Sequence, residues 1–393
     1  MSKSKQRMKL GVSIAGAGYI PGAWNFSNSI AKERLTSNYF KKIAQEAERA
    51  KFDFILIDEL HGLTTYEDES LKVSPQYRLD SISVTSSLLT YTEHIGLVAT
   101  IPITTSQPYH VARKLASLDH LSKGRAAWNV VINDQERTYR HYDVALVPDP
   151  SEWKQQAEEF LNITSSLWDS WEDDAIIGDK ETGIYADPSK HHHLNFKGKY
   201  YSVAGSLNVI RPPQGYPVRI QQADSVLGLE LVAKHADILL VGVKTTAEAI
   251  HKYEEIRLQL KQQFLIQQPQ LLLNVLPIIG DNEAETDKLL EAYEQQQSEV
   301  VSEAGFGVRN WITLTGTKTQ IADALQNLYT NVGYDGFNLI PAVLPESLQQ
   351  LTEQLIPELQ ERGLVQTQYD DVTLREGLGI ARPNNKFREA VRQ

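Results

Sequence analysis

The chain has 393 residues, 41% hydrophobic and 23% charged, with a formal net charge of −11 at pH 7 and no cysteine. That length supports a large core, the acidic balance argues against a general nucleic-acid binder, and the lack of thiols excludes disulfides, thiolate metal sites and cysteine nucleophiles. No apolar run approaches the ~20 residues that a membrane helix needs, and the basic start MSKSKQRMKLGVSIAG leads into a strand rather than a signal peptide. A cytoplasmic address is therefore expected, with neither nucleic acid nor membrane as a partner.

Short apolar runs alternate with longer helical patterns. The predicted strands are LGVSIA (10–15), FDFILID (52–58), IGLVATIPI (95–103), RAAWNVVI (125–132), PVRIQQA (217–223), DILLVGV (237–243), LLLNVLPIIG (271–280) and GFNLIP (336–341). Near-continuous apolar character suits parallel strands covered on both faces. Between them, 38–51 reads as an amphipathic helix capped by Asn38. Residues 108–122 form a helix with Pro108 in its first turn, and 151–168 form one capped by Ser151. Helices over 319–330 and 346–362 complete the series, the last stopped by Gly363. Eight β/α alternations predict an α/β fold, a (β/α)₈ TIM barrel with insertions near 171–216 and 281–315 and a C-terminal tail over 363–393, all in one domain spanning 1–393. A doubly wound sheet is the alternative, but GAGYIPG (16–22) lacks GxGxxG spacing and no helix follows it directly, so it reads as a loop.

In such barrels the site lies where the strands end. The polar residues there are Asp58 and Glu59, then Thr100, Thr104 and Thr105, then Asn129 and Asn133, then Gln221, Gln222, Asp224 and Ser225. This is hydrogen-bonding chemistry with few charges, which suits holding a cofactor better than hydrolysis. Asn129 is the most informative: an amide within a buried strand needs partners, and it shares a face with Val131 and Asn133. The run His191–His193 resembles a metal tract, but adjacent residues do not share a face, so no metal is assigned. His61 and His110 lie just past strand ends, where a structural hydrogen-bonding role competes with a pocket role. Trp168 and Trp171 read as packing anchors, and no GxSxG elbow supports Ser-His-Asp chemistry.

The segments AERAKFDFILIDE (47–59), EHIGLVAT (93–100), QPYHVARKLASLDHLSKGRAAWNVV (107–131), LWDSWEDDA (167–175), PPQGYPVRIQQADS (212–225), DGFNLIPAVLP (335–345) and IPELQERGLVQTQYDDVTLREGLGIARP (356–383) run nearly end to end. Together they resemble the bacterial-luciferase-like flavin monooxygenases, and within them the nitrilotriacetate, pristinamycin-synthase and dibenzothiophene-sulfone group. The resemblance implies a (β/α)₈ barrel that takes reduced FMN from a separate NAD(P)H:flavin reductase. It implies O2 as co-substrate, oxygenation of a small organic substrate through a flavin peroxide, and a homodimer or homotetramer. It places Asp58, Thr100 and Asn129 near the flavin.

The sequence departs from that family at the expected phosphate end. Ile132 and Asn133 replace Thr-Ser, Pro150 and Lys154 stand where the family carries His and Tyr, Ala23-Trp24-Asn25 replaces Ala-Trp-Arg, and Asp224-Ser225-Val226 replaces Gly-Ser-Ser. Two expectations follow. Lys154 supplies the phosphate cation and offsets Asp224, with Ser225 beside them; or the barrel has lost FMN and is a non-catalytic or different-ligand binding protein.

Overall fold

The computed structural model describes residues 7–20, 22–59, 75, 77–132, 150–225, 227–263, 267–297, 310–370 and 372–390. Eight parallel strands close into a ring: β1 (Lys9–Ile14), β2 (Phe54–Ile57), β3 (Gly96–Pro102), β4 (Ala126–Val131), β9 (Val218–Gln222), β10 (Ile238–Val241), β11 (Gln270–Ile279) and β13 (Gly336–Leu339). β1 pairs with β13 in register Lys9↔Gly336 to Val12↔Leu339, and β10 pairs with β11, so the sheet has no free edge at either join. All eight predicted strands are present.

Alternation along each strand separates two cores. Val12, Ile55, Leu97, Trp128 and Val130 point outward into the helix layer, while Phe54, Leu56, Val98, Ala127 and Ile220 fill the lumen. The Phe54 ring lies across β1, where a Cβ on Gly11 would sit 2.2 Å from it; only glycine leaves that space.

The outer helices follow the sequence closely, with local differences. The first runs Ser37–Arg49, and its cap is Thr36, whose side chain accepts from the Tyr39 N–H; the expected cap Asn38 lies inside the first turn. The helix Pro108–Leu121 is as predicted. The next runs Pro150–Trp168, so Ser151 is a helical residue and not the cap. The helix at 346–361 carries a π-turn over Leu351–Leu355, and Gly363 has φ +66°, as a helix stop requires. The polar segment 171–216 forms two hairpins, β5 (Ile176–Asp179) with β6 (Ile184–Ala186) and β7 (Leu194–Lys197) with β8 (Ser202–Gly205). Trp168 and Trp171 anchor this region through their ring N–H groups, which donate to the Ala112 and Leu207 carbonyls at 2.9 and 2.8 Å. In 281–315 the helix Glu283–Gln297 is followed by β12 (Ile312–Gly316), which lies along the second half of β11. That strand was not predicted, because its alternating polar residues (ITLTG) lack the apolar signature of the others.

The tail closes the N-terminal end of the ring. Leu374, Leu378 and Ile380 join the lumenal core, and Arg375 forks onto Asp237 at 2.7 and 2.8 Å. The long block 107–131 owes part of its composition to this frame. Asp119 is fully buried and accepts from Gln214 and the Ala126 N–H, and Arg125 donates to Thr92, Ile95 and Ser122.

Gly11→Ala forces the Phe54 ring to move within a filled lumen and is expected to lower stability by about 1–3 kcal/mol. Chemical denaturation of the variant against the parent chain measures it.

Candidate active site

At the open end of the ring the inward positions turn from apolar to polar. Thr100 and Asn129 lie directly opposite each other on β3 and β4. The Asn129 amide donates to Thr100 Oγ1 at 3.0 Å, and Thr100 Oγ1 donates to the Ile57 carbonyl at 2.8 Å. Both side chains are almost wholly buried. Among the described residues Asn129 Oδ1 has no partner. An amide whose N–H is fixed by Thr100 and whose oxygen is left open in the lumen is an acceptor held ready for a donor from outside the chain.

Asp58 follows Ile57 at the end of β2 and is 2% exposed. Its carboxylate accepts from Tyr19 Oη at 3.2 Å, from the Glu59 N–H at 3.0 Å, and from Arg78 Nη1 at 3.4 Å. Burial, and then the Asp58 charge, push the Tyr19 phenol well above its ordinary range, so it stays a donor to Asp58. Glu59 turns the other way. Its Oε2 accepts from the Ser81 N–H at 2.8 Å, at the start of the helix Ser81–Leu88, and Ser81 Oγ donates to the Thr100 carbonyl at 2.6 Å. Burial pushes the Glu59 carboxyl up to about 7, against the hydrogen bonds from Ser81 that lower it.

Across the lumen, Ser13 Oγ donates to Asn338 Oδ1 at 3.0 Å, Asn338 donates to Asn274 Oδ1 at 2.9 Å, and Asn274 donates to the Asn310 carbonyl at 3.2 Å. This second polar chain was missed, although each member sits inside a strand as Asn129 does (LGVSIA, LLLNVLP, GFNLIP), and the same argument finds it. Tyr19, Arg34 and Arg78 were also missed; they come from loops, where periodicity carries no signal.

The loop after β9 holds the other candidates. The Ser225 carbonyl accepts from the Gly228 N–H at 2.9 Å and its Oγ accepts from the Leu227 N–H at 3.3 Å. Lys154 is exposed on the helix Pro150–Trp168. A Cβ on Gly228 would lie 3.4 Å from Lys154 Nζ, so the ammonium hangs over this loop. Asp224 is exposed rather than folded into it. Gln222 faces the lumen with Ile220, whereas Gln221 shares the outward face of Arg219 and does not line the mouth, a correction that follows from strand alternation. His61, Asn133, Val226, the run 135–147 and the acidic stretch 67–69 lie outside the described residues. His110 is exposed. His191 packs on Trp171 with ring centroids 4.1 Å apart, and His192 Nε2 lies 2.9 Å from Glu172 Oε1. Among the described residues no three His, Asp or Glu side chains are grouped as a metal site.

The family model described as luciferase-like monooxygenase matches residues 23–336. The chain belongs to the luciferase-like monooxygenase family. N-acetyl-S-(2-succino)cysteine monooxygenase of Bacillus subtilis (strain 168) is 32% identical, covering 98% of this chain and 100% of that protein. Nitrilotriacetate monooxygenase component A of Aminobacter aminovorans is 30% identical, covering 98% and 99%. Among solved structures, a long-chain alkane monooxygenase superposes with a TM-score of 0.86 at 27% identity over 96% of both chains. A riboflavin lyase holding modified FMN and riboflavin does so with 0.85 at 26% identity, over 96% of this chain and 97% of that one. This luciferase-like protein is thus a flavin-dependent monooxygenase on a TIM barrel. Among its described residues no helix is long and apolar enough to cross a membrane.

Because folding raises the pKa of Glu59 from 4.5 to about 7, the folded state holds a proton that the unfolded state releases. The stability that this group contributes is complete below its unfolded pKa and is lost as the pH rises through its folded one. Glu59→Gln is expected to flatten the melting temperature across that interval, read by thermal unfolding of both proteins at stepped pH.

Proposed function

We infer that this luciferase-like monooxygenase binds reduced FMN at the open end of its barrel and passes one atom of O2 to a small organic substrate. The single observation that carries the assignment is the open, buried Asn129 oxygen beside a fixed Thr100, a lumenal acceptor that suits the ring N–H of a flavin. When bound, reduced FMN supplies the reactivity toward O2. The chain's own part is to place and shelter it. Asn129 and Thr100 hold the ring end, with Asp58 oriented by Arg78 and Tyr19 beside them. Lys154 and Ser225 take the phosphate end, where a cation over a loop that has Gly228 at φ +78° leaves room for an anion. The apolar lumen below excludes water.

Reduced flavin comes from a separate NAD(P)H:flavin reductase, in keeping with the component name of one relative. A homodimer or homotetramer belongs to the same proposal. The substrate names of the relatives divide between polycarboxylates, such as nitrilotriacetate, and uncharged compounds, such as dibenzothiophene sulfone and dimethyl sulfide. The alternative of a barrel that has lost its flavin is disfavoured, because the Asp224 carboxylate that motivated it is exposed and Lys154 stands over the same loop.

Titration with reduced FMN under anaerobic conditions tests the assignment. Asn129→Ala is expected to raise the FMN Kd about tenfold with the fold intact by circular dichroism, since a buried hydrogen bond to the ring is lost. Lys154→Glu is expected to weaken FMN by a similar factor but to leave riboflavin, which lacks the phosphate, unchanged. Equal FMN binding by both variants and the parent sinks the proposal.

A further inference from the structure

Five arginines are buried among the described residues: Arg34, Arg125, Arg211, Arg219 and Arg375. Four of them are explained by the fold. Arg125 donates to carbonyls and a hydroxyl, Arg211 pairs with Asp169 and Asp173, Arg219 donates to Thr164 and Ser165, and Arg375 forks onto Asp237. Arg34 is different. It sits on the short turn Glu33–Leu35 and is 7% exposed. Its Nε has no partner, and among the described residues no hydrogen bond or ion pair reaches its guanidinium. Burying a cation without a partner is costly, and a bound anion would offset that cost.

Arg34 lines a cleft of about 30 Å³ at the open end of the barrel. Its walls include Phe40 and Ile57, and its polar groups are Arg34, Tyr77, Arg78 and Asp58. The balance of charge in that cleft is simple. Among the described residues that line it, Arg34 and Arg78 face one carboxylate, Asp58, which lies 3.4 Å from Arg78, so their formal charges sum to one positive. The volume admits a group the size of a carboxylate. Ile57 lines this cleft and its carbonyl accepts from Thr100 of the Thr100–Asn129 pair, so an anion held here places the rest of a molecule at the same end of the barrel.

We propose that the Arg34 cleft binds one carboxylate of the substrate, so that the substrate class is a small organic acid rather than an uncharged sulfide, sulfone or alkane. This rests on the monooxygenase reading of the same site and adds the charge of the molecule that enters it. Arg34 is a specificity-determining residue: its planar fork pairs a carboxylate with two parallel N–H donors, which a lysine cannot reproduce.

The test uses the full chain with FMN bound and calorimetric titration of two probes, nitrilotriacetate and thiodiacetate, each against its neutral methyl ester. At least one acid is expected to bind, with its ester at least tenfold weaker. Arg34→Met is expected to weaken that acid by about tenfold or more, with Arg34→Lys recovering only part of the loss and the FMN Kd within about twofold of the parent. Failure of both acids to bind, esters binding as well as acids, or equal acid binding by parent and Arg34→Met overturns the proposal. The acid-against-ester comparison needs only the parent protein, so it decides the matter even where Arg34→Met does not fold. If FMN does not bind but an acid binds through Arg34, the monooxygenase reading fails and the carboxylate site stands. If FMN binds and only the esters do, the reverse holds.

Discussion

Ring closure is the constraint on which everything else in this molecule depends. Once β1 pairs with β13 in a single register, every second residue of eight strands is committed to a narrow lumen. A shift by one residue would send Trp128 inward and Asn129 out among the helices. β4 offers Trp128 and Val130 to the helix layer as apolar contacts, and the lumen receives Ala127 and Asn129. The position of the polar group at the mouth is thus a by-product of how the outer face packs.

That commitment explains the gradient inside the barrel. At the closed end the inward residues are apolar and the tail supplies Leu374, Leu378 and Ile380 to complete them. Toward the open end they become Ser13, Thr100, Asn129, Asn274 and Asn338, bonded to one another between neighbouring strands. Among the described residues the Asn129 oxygen and Arg34 Nε are buried without a partner. Both lie within reach of the Ile57–Asp58 strand end.

The frame was legible in the sequence because it is built from local patterns. Eight apolar runs, a Pro108 first turn and a Gly363 stop are signals carried by a few consecutive residues. The site was legible only in part. Asp58, Thr100 and Asn129 could be placed because they end strands whose faces are set by alternation, and Gln221 was misassigned because the strand-end rule was applied without that alternation. Thr36 displaced Asn38 as a cap because either residue type can cap and only the backbone decides. Arg34 and Arg78 gave no sign, since nothing in a loop sequence distinguishes an arginine that folds inward from one that solvates. β12 was hidden by its half-exposed, alternating composition, which follows from pairing on one side with only β11.

The tail has a consequence for how the protein is made. Residues near the two ends of the chain meet at the closed face: the Met8 N–H donates to the Leu364 carbonyl, and Arg7 and Lys9 both reach the Gly377 carbonyl. β1 is made before every other barrel strand, yet its lower contacts come from residues more than 350 positions further along. Until that segment is made, the ring lacks Leu374 and Leu378, which cover its apolar floor. Closing this end of the barrel is therefore a late, long-range step that cannot begin while the early strands alone are present.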